Sequence, residues 1–314
     1  MQLASRGDYA AADRLFEAEL AKHPGDFRLL YNRALVNFFW GHDEAAQQLL
    51  EKVAPADREE PDYQSLLGSV LTRQGKYKEA VAPSQKAVER APNNPEYLLN
   101  LGALYLRLKL GQHATEVYQK GQKLFPDRPE FTLGLGVIQD MQAKFDAAIA
   151  IYRQVIEKYP RYEAGYLFLA QAYLKASQPD EAEKTAKAVL SMDPRSALAE
   201  YFLAEAAWVT PARHQEASAY VAKALQLDPN LTEALVLASK IELRHGDARK
   251  AVAHLERAIA EQPRMANAYY LLAQAYERLG KKNKSQAALE QFHQLKKAES
   301  WEALFPGGLA SGKF

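Results

Sequence analysis

Small, large apolar and polar positions recur along this chain with a single period. Alanine stands at Ala12, Ala46, Ala80, Ala114, Ala148 and Ala182 and, after one extra residue, at Ala217 and Ala251. Aromatic or apolar residues follow four places later at Phe16, Leu50, Tyr118, Tyr152, Val221 and Leu255. A second small series falls at Gly68, Gly102, Gly136, Ala170 and Ala204. Prolines punctuate the chain at Pro24, Pro92, Pro126, Pro160, Pro194, Pro229 and Pro263. A spacing of 34 residues is the length of a helix–turn–helix unit that stacks into a solenoid.

Each phased position has a physical reason. Two antiparallel helices cross closely where their side chains are small, at about 8–10 Å between axes. Leu, Tyr and Phe around the crossing fill the remaining space. Proline after the second helix stops it, because proline lacks an amide hydrogen and disfavours helix in the residue before it. Glycine in the inner turn, as at Gly75, Gly246 and Gly280, accepts the positive φ that ends the first helix.

These positions resemble the tetratricopeptide repeat family. Leu67, Gly68, Gly75, Tyr77, Ala80, Ala87 and Pro92 carry its pattern in one unit, and Leu98, Leu101, Gly102, Tyr105, Ala114, Tyr118 and Pro126 in the next. The resemblance runs over about residues 5 to 297. The alanine-rich composition, with many Gln and Arg, gives the array a bacterial flavour. The resemblance implies an all-α fold, a right-handed α-solenoid superhelix of about eight helix–turn–helix units. Residues 1–26 then form an N-terminal half repeat, a lone second helix around Asp8 to His23. The array is 27–297, with units near 27–60, 61–94, 95–128, 129–162, 163–196, 197–231, 232–265 and 266–297. A C-terminal capping helix runs on through Lys297, and 298–314 form a tail in which Trp301, Leu304 and Phe305 dock while the rest is mobile.

Departures from the pattern carry their own expectations. Pro55 and Pro61 bracket a charged stretch, so the second helix of the first full unit ends early, near Val53. Pro83 falls inside a second helix and should kink it. The extra residue of the seventh unit falls in Trp208–His214, lengthening that turn. Ser239 and Ser285 replace glycine or alanine at phased places.

Composition narrows the function. The chain has 314 residues, a formal net charge of +1 and no cysteine. Near-neutrality argues against general attraction to nucleic acid. The lack of cysteine excludes disulfides, thiolate nucleophiles and cysteine-held zinc. The seven histidines form no HExxH and no i, i+4 pair, so no metal or other cofactor is expected. Gly307–Lys313 fits the start of a phosphate loop, but Phe314 stands where Ser or Thr must follow. No stretch approaches a membrane span in length. The cytoplasm is the default compartment, and the periplasm fits if a leader was removed.

The family resemblance further implies that first helices line a concave groove. The last of the four groove-facing places in each unit is basic in five of eight units, at Arg73, Arg107, Lys175, Arg244 and Arg278. Aligned, these form a basic stripe for an acidic or carboxylate ligand. Alternatively, they complement helix dipoles. Tyr31, Tyr201, Trp208 and Tyr270 are candidate aromatic anchors, or else pack between repeats; Gln171, Lys240 and Gln274 complete the groove candidates. Asn100 and Asn32 stand in phase, too few for an asparagine ladder. The reading is a non-catalytic scaffold or adaptor that binds a peptide or protein segment. Its rivals are a structural array that self-associates through Leu15 and Phe16 of the exposed half repeat, and the arm of a larger enzyme or secretion or assembly protein.

Overall fold

The structure, a computed structural model, describes residues 2–304. Among the described residues the chain forms 18 α-helices, packed in consecutive pairs, and no strand. Two helices come first, α1 (Gln2–Ser5) and α2 (Tyr9–Lys22). Then come α3 (Phe27–Trp40) with α4 (Asp43–Glu51), α5 (Pro61–Arg73) with α6 (Tyr77–Arg90), and α7 (Pro95–Arg107) with α8 (Gly111–Leu124). They are followed by α9 (Pro129–Met141), α10 (Phe145–Lys158), α11 (Glu163–Lys175), α12 (Pro179–Met192), α13 (Ala197–Trp208) and α14 (His214–Leu227). The last four are α15 (Thr232–His245), α16 (Ala248–Glu261), α17 (Ala266–Arg278) and α18 (Lys282–Leu304). The chain divides into two compact units, residues 1–138 and 139–314, with the division inside α9.

Local chemistry sets the helix ends. Asp8, Asp26 and Asp247 each accept the backbone N–H three residues on, capping α2, α3 and α16. Pro61, Pro95 and Pro179 occupy the first turns of α5, α7 and α12, where a missing N–H costs nothing. The inner turns need a left-handed residue. Gly75 and Gly246 supply it at φ 75° and 86°, but Lys109, Ala143 and Ser177 supply it at 58°, 56° and 57°. Those three carry a Cβ in a conformation that disfavours one.

All eight phased alanines are buried, and so are Leu50, Tyr118, Tyr152, Val221 and Leu255 beside them. The Tyr118 ring lies between two glycines: a Cβ on Gly102 would stand 2.6 Å from it, and one on Gly134 2.7 Å. Ser239 and Ser285 are buried like the alanines they replace. Their hydroxyls are spent on the carbonyls of Val236 (2.7 Å) and Ala273 (3.0 Å), which removes the cost of burying them.

Several expectations need correction. The N-terminal segment is more than a lone helix. Leu3 and Ala4 of α1 pack with Ala12, Phe16 and Val36, so Phe16 is half-buried and Leu15 alone of the pair is exposed, at 59%. As expected, Pro83 lies inside a second helix, α6, which runs from Tyr77 to Arg90 through it. At the other end α18 continues to Leu304, past Lys297. The expectations for the side chains of Trp301 and Leu304, and for Phe305 onward, fall outside the described residues. The short α4 ends at Glu51, and Arg58 ties the segment after it to the Val53 carbonyl at 3.0 Å. The lengthened seventh turn holds a one-turn 3-10 helix, Pro211–Arg213.

Candidate functional site

The candidate positions recur every three or four residues along first helices, which places them on one face of each. Most are exposed or half-buried. Leu133 and Val236, in the same register, are buried and drop out of any accessible surface. Gln171, Lys240 and Gln274 are half-buried. At the fourth place, the units without a cation expose Phe39 (56%), Met141 (51%) and Val209 (63%).

The five cations divide into two kinds. Arg73 donates from Nε to Asp43 at 2.6 Å, donates also to the Phe38 carbonyl, and lays its guanidinium 3.7 Å from the centre of the Phe38 ring. The Nζ of Lys175 meets Asp140 at 2.5 Å. Arg278 donates to the Leu243 carbonyl. Each of these three reaches back 35 residues to the end of the preceding first helix, where unpaired carbonyls carry negative charge. For Arg73 and Arg278 the group reached is a carbonyl near the end of the neighbouring helix, and for Lys175 it is the Asp140 carboxylate. Arg244 reaches 36 back, across the slip, and lies 5.9 Å from the Trp208 ring. Arg107 lies 6.0 Å from the Tyr77 ring. Neither Arg107 nor Arg244 makes an ion pair or hydrogen bond among the described residues.

The aromatic candidates are mostly packed. Tyr31 is half-buried against Phe27, with ring centres 5.9 Å apart. Burial, helped by the Asp62 charge, pushes its hydroxyl up to about 12. Burial also raises Tyr201, and Glu205 beside it adds to the effect. Trp208 stacks on His214 at 4.1 Å, and the His214 ring meets the Trp208 carbonyl at 3.1 Å. Tyr270 is the most open, 43% exposed, against Phe292 at 5.3 Å.

In the first unit α3, α5, α6 and α7 enclose a cleft of about 400 Å³. Arg73, Arg107, Asn100, Ser69, Thr72 and Ser84 supply its polar lining, and Phe38, Tyr77 and Leu104 its apolar walls. Ser69 and Thr72 donate to the carbonyls of Ser65 and Gly68, leaving their oxygens free to accept. Tyr77 and Ser84 come from the second helix α6, whereas the sequence places the groove on first helices. The signal for Ser84 was Gly68, which packs so closely on it that a Cβ would clash with the Ser84 hydroxyl. Among the described residues no group of three His, Cys, Asp or Glu side chains could hold a metal ion. No described helix is long and apolar enough to cross a membrane.

The profile described as Tetratricopeptide repeat matches residues 3–70, 141–208 and 242–292, together more than half of the chain. Two further repeat profiles match residues 68–109 and 99–163. No curated protein sequence matches. Among solved structures, yeast Tom70 is similar with a TM-score of 0.67 and 19% identity, over 91% of this chain and 59% of that one. A tetratricopeptide repeat protein from Parabacteroides merdae gives 0.64 and 20%, over 78% and 97%. The APC/C hetero-tetramer Cut9–Hcn1 gives 0.60 and 17%, over 96% and 57%. At these identities the likeness is one of fold. The chain spans less than two thirds of the Tom70 and Cut9–Hcn1 chains.

Proposed function

This chain belongs to the tetratricopeptide repeat family, whose repeats are generally protein–protein interaction modules, and we propose that it is a non-catalytic scaffold or adaptor binding a peptide or protein segment along its first helices. The cleft of the first unit is the observation that carries this reading. It combines apolar walls with polar groups whose hydrogen-bonding capacity is not spent within the fold, Asn100 and Arg107 above all. A pocket with few, unspent polar groups among apolar walls is the usual form of a recognition site. No catalytic domain is identified in the chain.

The groove candidates Tyr31, Arg73, Arg107, Gln171, Lys175, Tyr201, Trp208, Lys240, Arg244, Tyr270, Gln274 and Arg278 do not all serve this role equally. Arg107, Arg244 and Tyr270 are the ones to test. Lys175, Arg73 and Arg278 are engaged within the fold. The test is affinity capture from the source cells with wild type and with an Arg107→Glu, Arg244→Glu, Tyr270→Ala variant of unchanged helicity. Partners recovered by wild type and lost by the variant support the reading. Equal recovery, or no partner with either, overturns it.

Self-association is the second reading, favoured by the exposure of Leu15 and Trp40. Light scattering across a concentration series decides it: a constant monomer mass rules it out.

A further inference from the structure

We propose that the edge formed by the turns at 244–250 and 278–284 docks on an anionic membrane surface. This goes beyond the peptide-binding reading and does not rest on it, because the cations that carry it belong to second helices and the turns before them. Arg249 and Lys250 lie in the first turn of α16. Lys282 and Lys284 lie in the first turn of α18, with Lys281 just before it. All five are exposed. The two turns are neighbours, since Arg278 donates to the Leu243 carbonyl, and Arg244 and Arg278 add two more charges at their rims. The acids of the same stretch are Asp247, paired with Lys250 at 2.9 Å, and Glu277.

Helix dipoles do not explain these cations; they oppose them. A helix N-terminus carries partial positive charge and favours acids in the first turn. In the second unit α10, α12 and α14 follow that rule with Asp146, with Asp180 and Glu181, and with Glu216. Neither α16 nor α18 has an acid there, and both place cations there instead. Positive side chains and positive helix ends therefore add on one edge. The charge is also segregated along the unit. Residues 139–239 hold ten Lys and Arg against thirteen Asp and Glu, whereas residues 240–297 hold twelve against six. Interspersed signs serve solubility; segregation serves attraction to an anion. A basic cluster of this size is the usual footprint of contact with anionic lipid. A plane meets such an edge without touching the acidic remainder of the unit, which a long polyanion following the unit would run into. The ring beside Lys281 and Lys284, that of Tyr276 at 5.9 and 5.4 Å, is buried, so it offers no platform for stacking a base.

Vesicle co-sedimentation of the full chain tests this, with vesicles of phosphatidylcholine alone and of equimolar phosphatidylcholine and phosphatidylglycerol. Wild type should bind the acidic vesicles and leave the neutral ones, and the binding should fade as salt is raised. A variant carrying Arg249→Gln, Lys281→Gln and Lys282→Gln should bind about a hundredfold more weakly, at about fivefold for each cation brought to an anionic surface. Arg249 and Lys282 oppose a helix dipole, so this variant should melt no lower than wild type. A second variant, Lys144→Gln, Arg161→Gln and Arg195→Gln, removes the same charge from exposed positions elsewhere in the unit and should bind like wild type. Absence of wild-type binding to the acidic vesicles, or an equal loss in both variants, overturns the proposal. Retention of a short DNA duplex at a salt concentration that releases the vesicles assigns the edge to nucleic acid instead and also overturns it. Each of these outcomes leaves the groove reading standing.

Discussion

Lys175 and Asp140 are 35 residues apart in sequence and 2.5 Å apart in space. The pair is lopsided: the lysine side chain is 41% exposed and the aspartate side chain 9%. The acid is the committed partner, so removing the lysine strands a carboxylate that water reaches poorly. Lys175→Ala should lower unfolding free energy by about 1–3 kcal/mol. Adding Asp140→Asn should then cost less than it does alone. Urea denaturation of the four proteins of that cycle measures both. Additive losses would show that the contact contributes nothing.

Close crossing of helices gives the second prediction. Ala148 has no exposed surface, and Ala148→Leu should overpack its site at a cost of about 1–3 kcal/mol. Gly102→Ala should cost a similar amount, since the new methyl meets the Tyr118 ring at 2.6 Å. An unchanged melting temperature for either would contradict the crossing geometry.

Acid should loosen the N-terminal helices. Asp13 accepts from Arg33 at 2.8 and 3.1 Å and from Asn37 at 2.6 Å. The hydrogen bonds from Arg33 are the main cause holding its carboxyl below the ordinary 3.8, against the opposing effect of burial. A depressed folded value means stability that is present above the unfolded value and lost as pH falls through the folded one. Asp13→Asn should therefore cost about 1–3 kcal/mol at neutral pH. The difference from wild type should shrink below about pH 3.8. A difference that stays constant through the acid range would assign the loss to packing.

The non-glycine turns offer a gain. Ala143 holds φ at 56°, a conformation that costs an L-residue about 1–2 kcal/mol. Part of that relief is offset by the greater freedom of glycine in the unfolded chain. Ala143→Gly should therefore stabilise the protein by up to about 1 kcal/mol, read as a raised denaturation midpoint.

The buried crossings were legible in the sequence because they repeat. A small residue is required wherever two helices touch, and the requirement recurs at Ala46, Ala80 and Ala114 as it does in any stacked array. The fate of the basic residues was not legible in the same way. Register placed Arg73, Lys175 and Arg278 in one row but said nothing of what stands behind each. That depends on Asp43, on Asp140 and on the Leu243 carbonyl. The Asp140 pairing could have been found by comparing positions 35 apart. The two carbonyl contacts could not, since every residue has one. Reversing Lys175 to Glu, reasonable as a binding test from sequence alone, would set two carboxylates together and measure stability instead. The short α1 was missed because four residues carry no periodic signal.

The extra residue before Ala217 is absorbed inside one turn. Trp208 and His214 stack across it, and Ala217 and Ala251 beyond it are as fully buried as the alanines before it. The loop from Val209 to Arg213 thus works as an expansion joint, taking up added length without passing an error down the stack. A foreign epitope or reporter peptide spliced in between Val209 and Pro211 should leave the packing on both sides in place, with Arg213 still paired to Glu183 and Glu216.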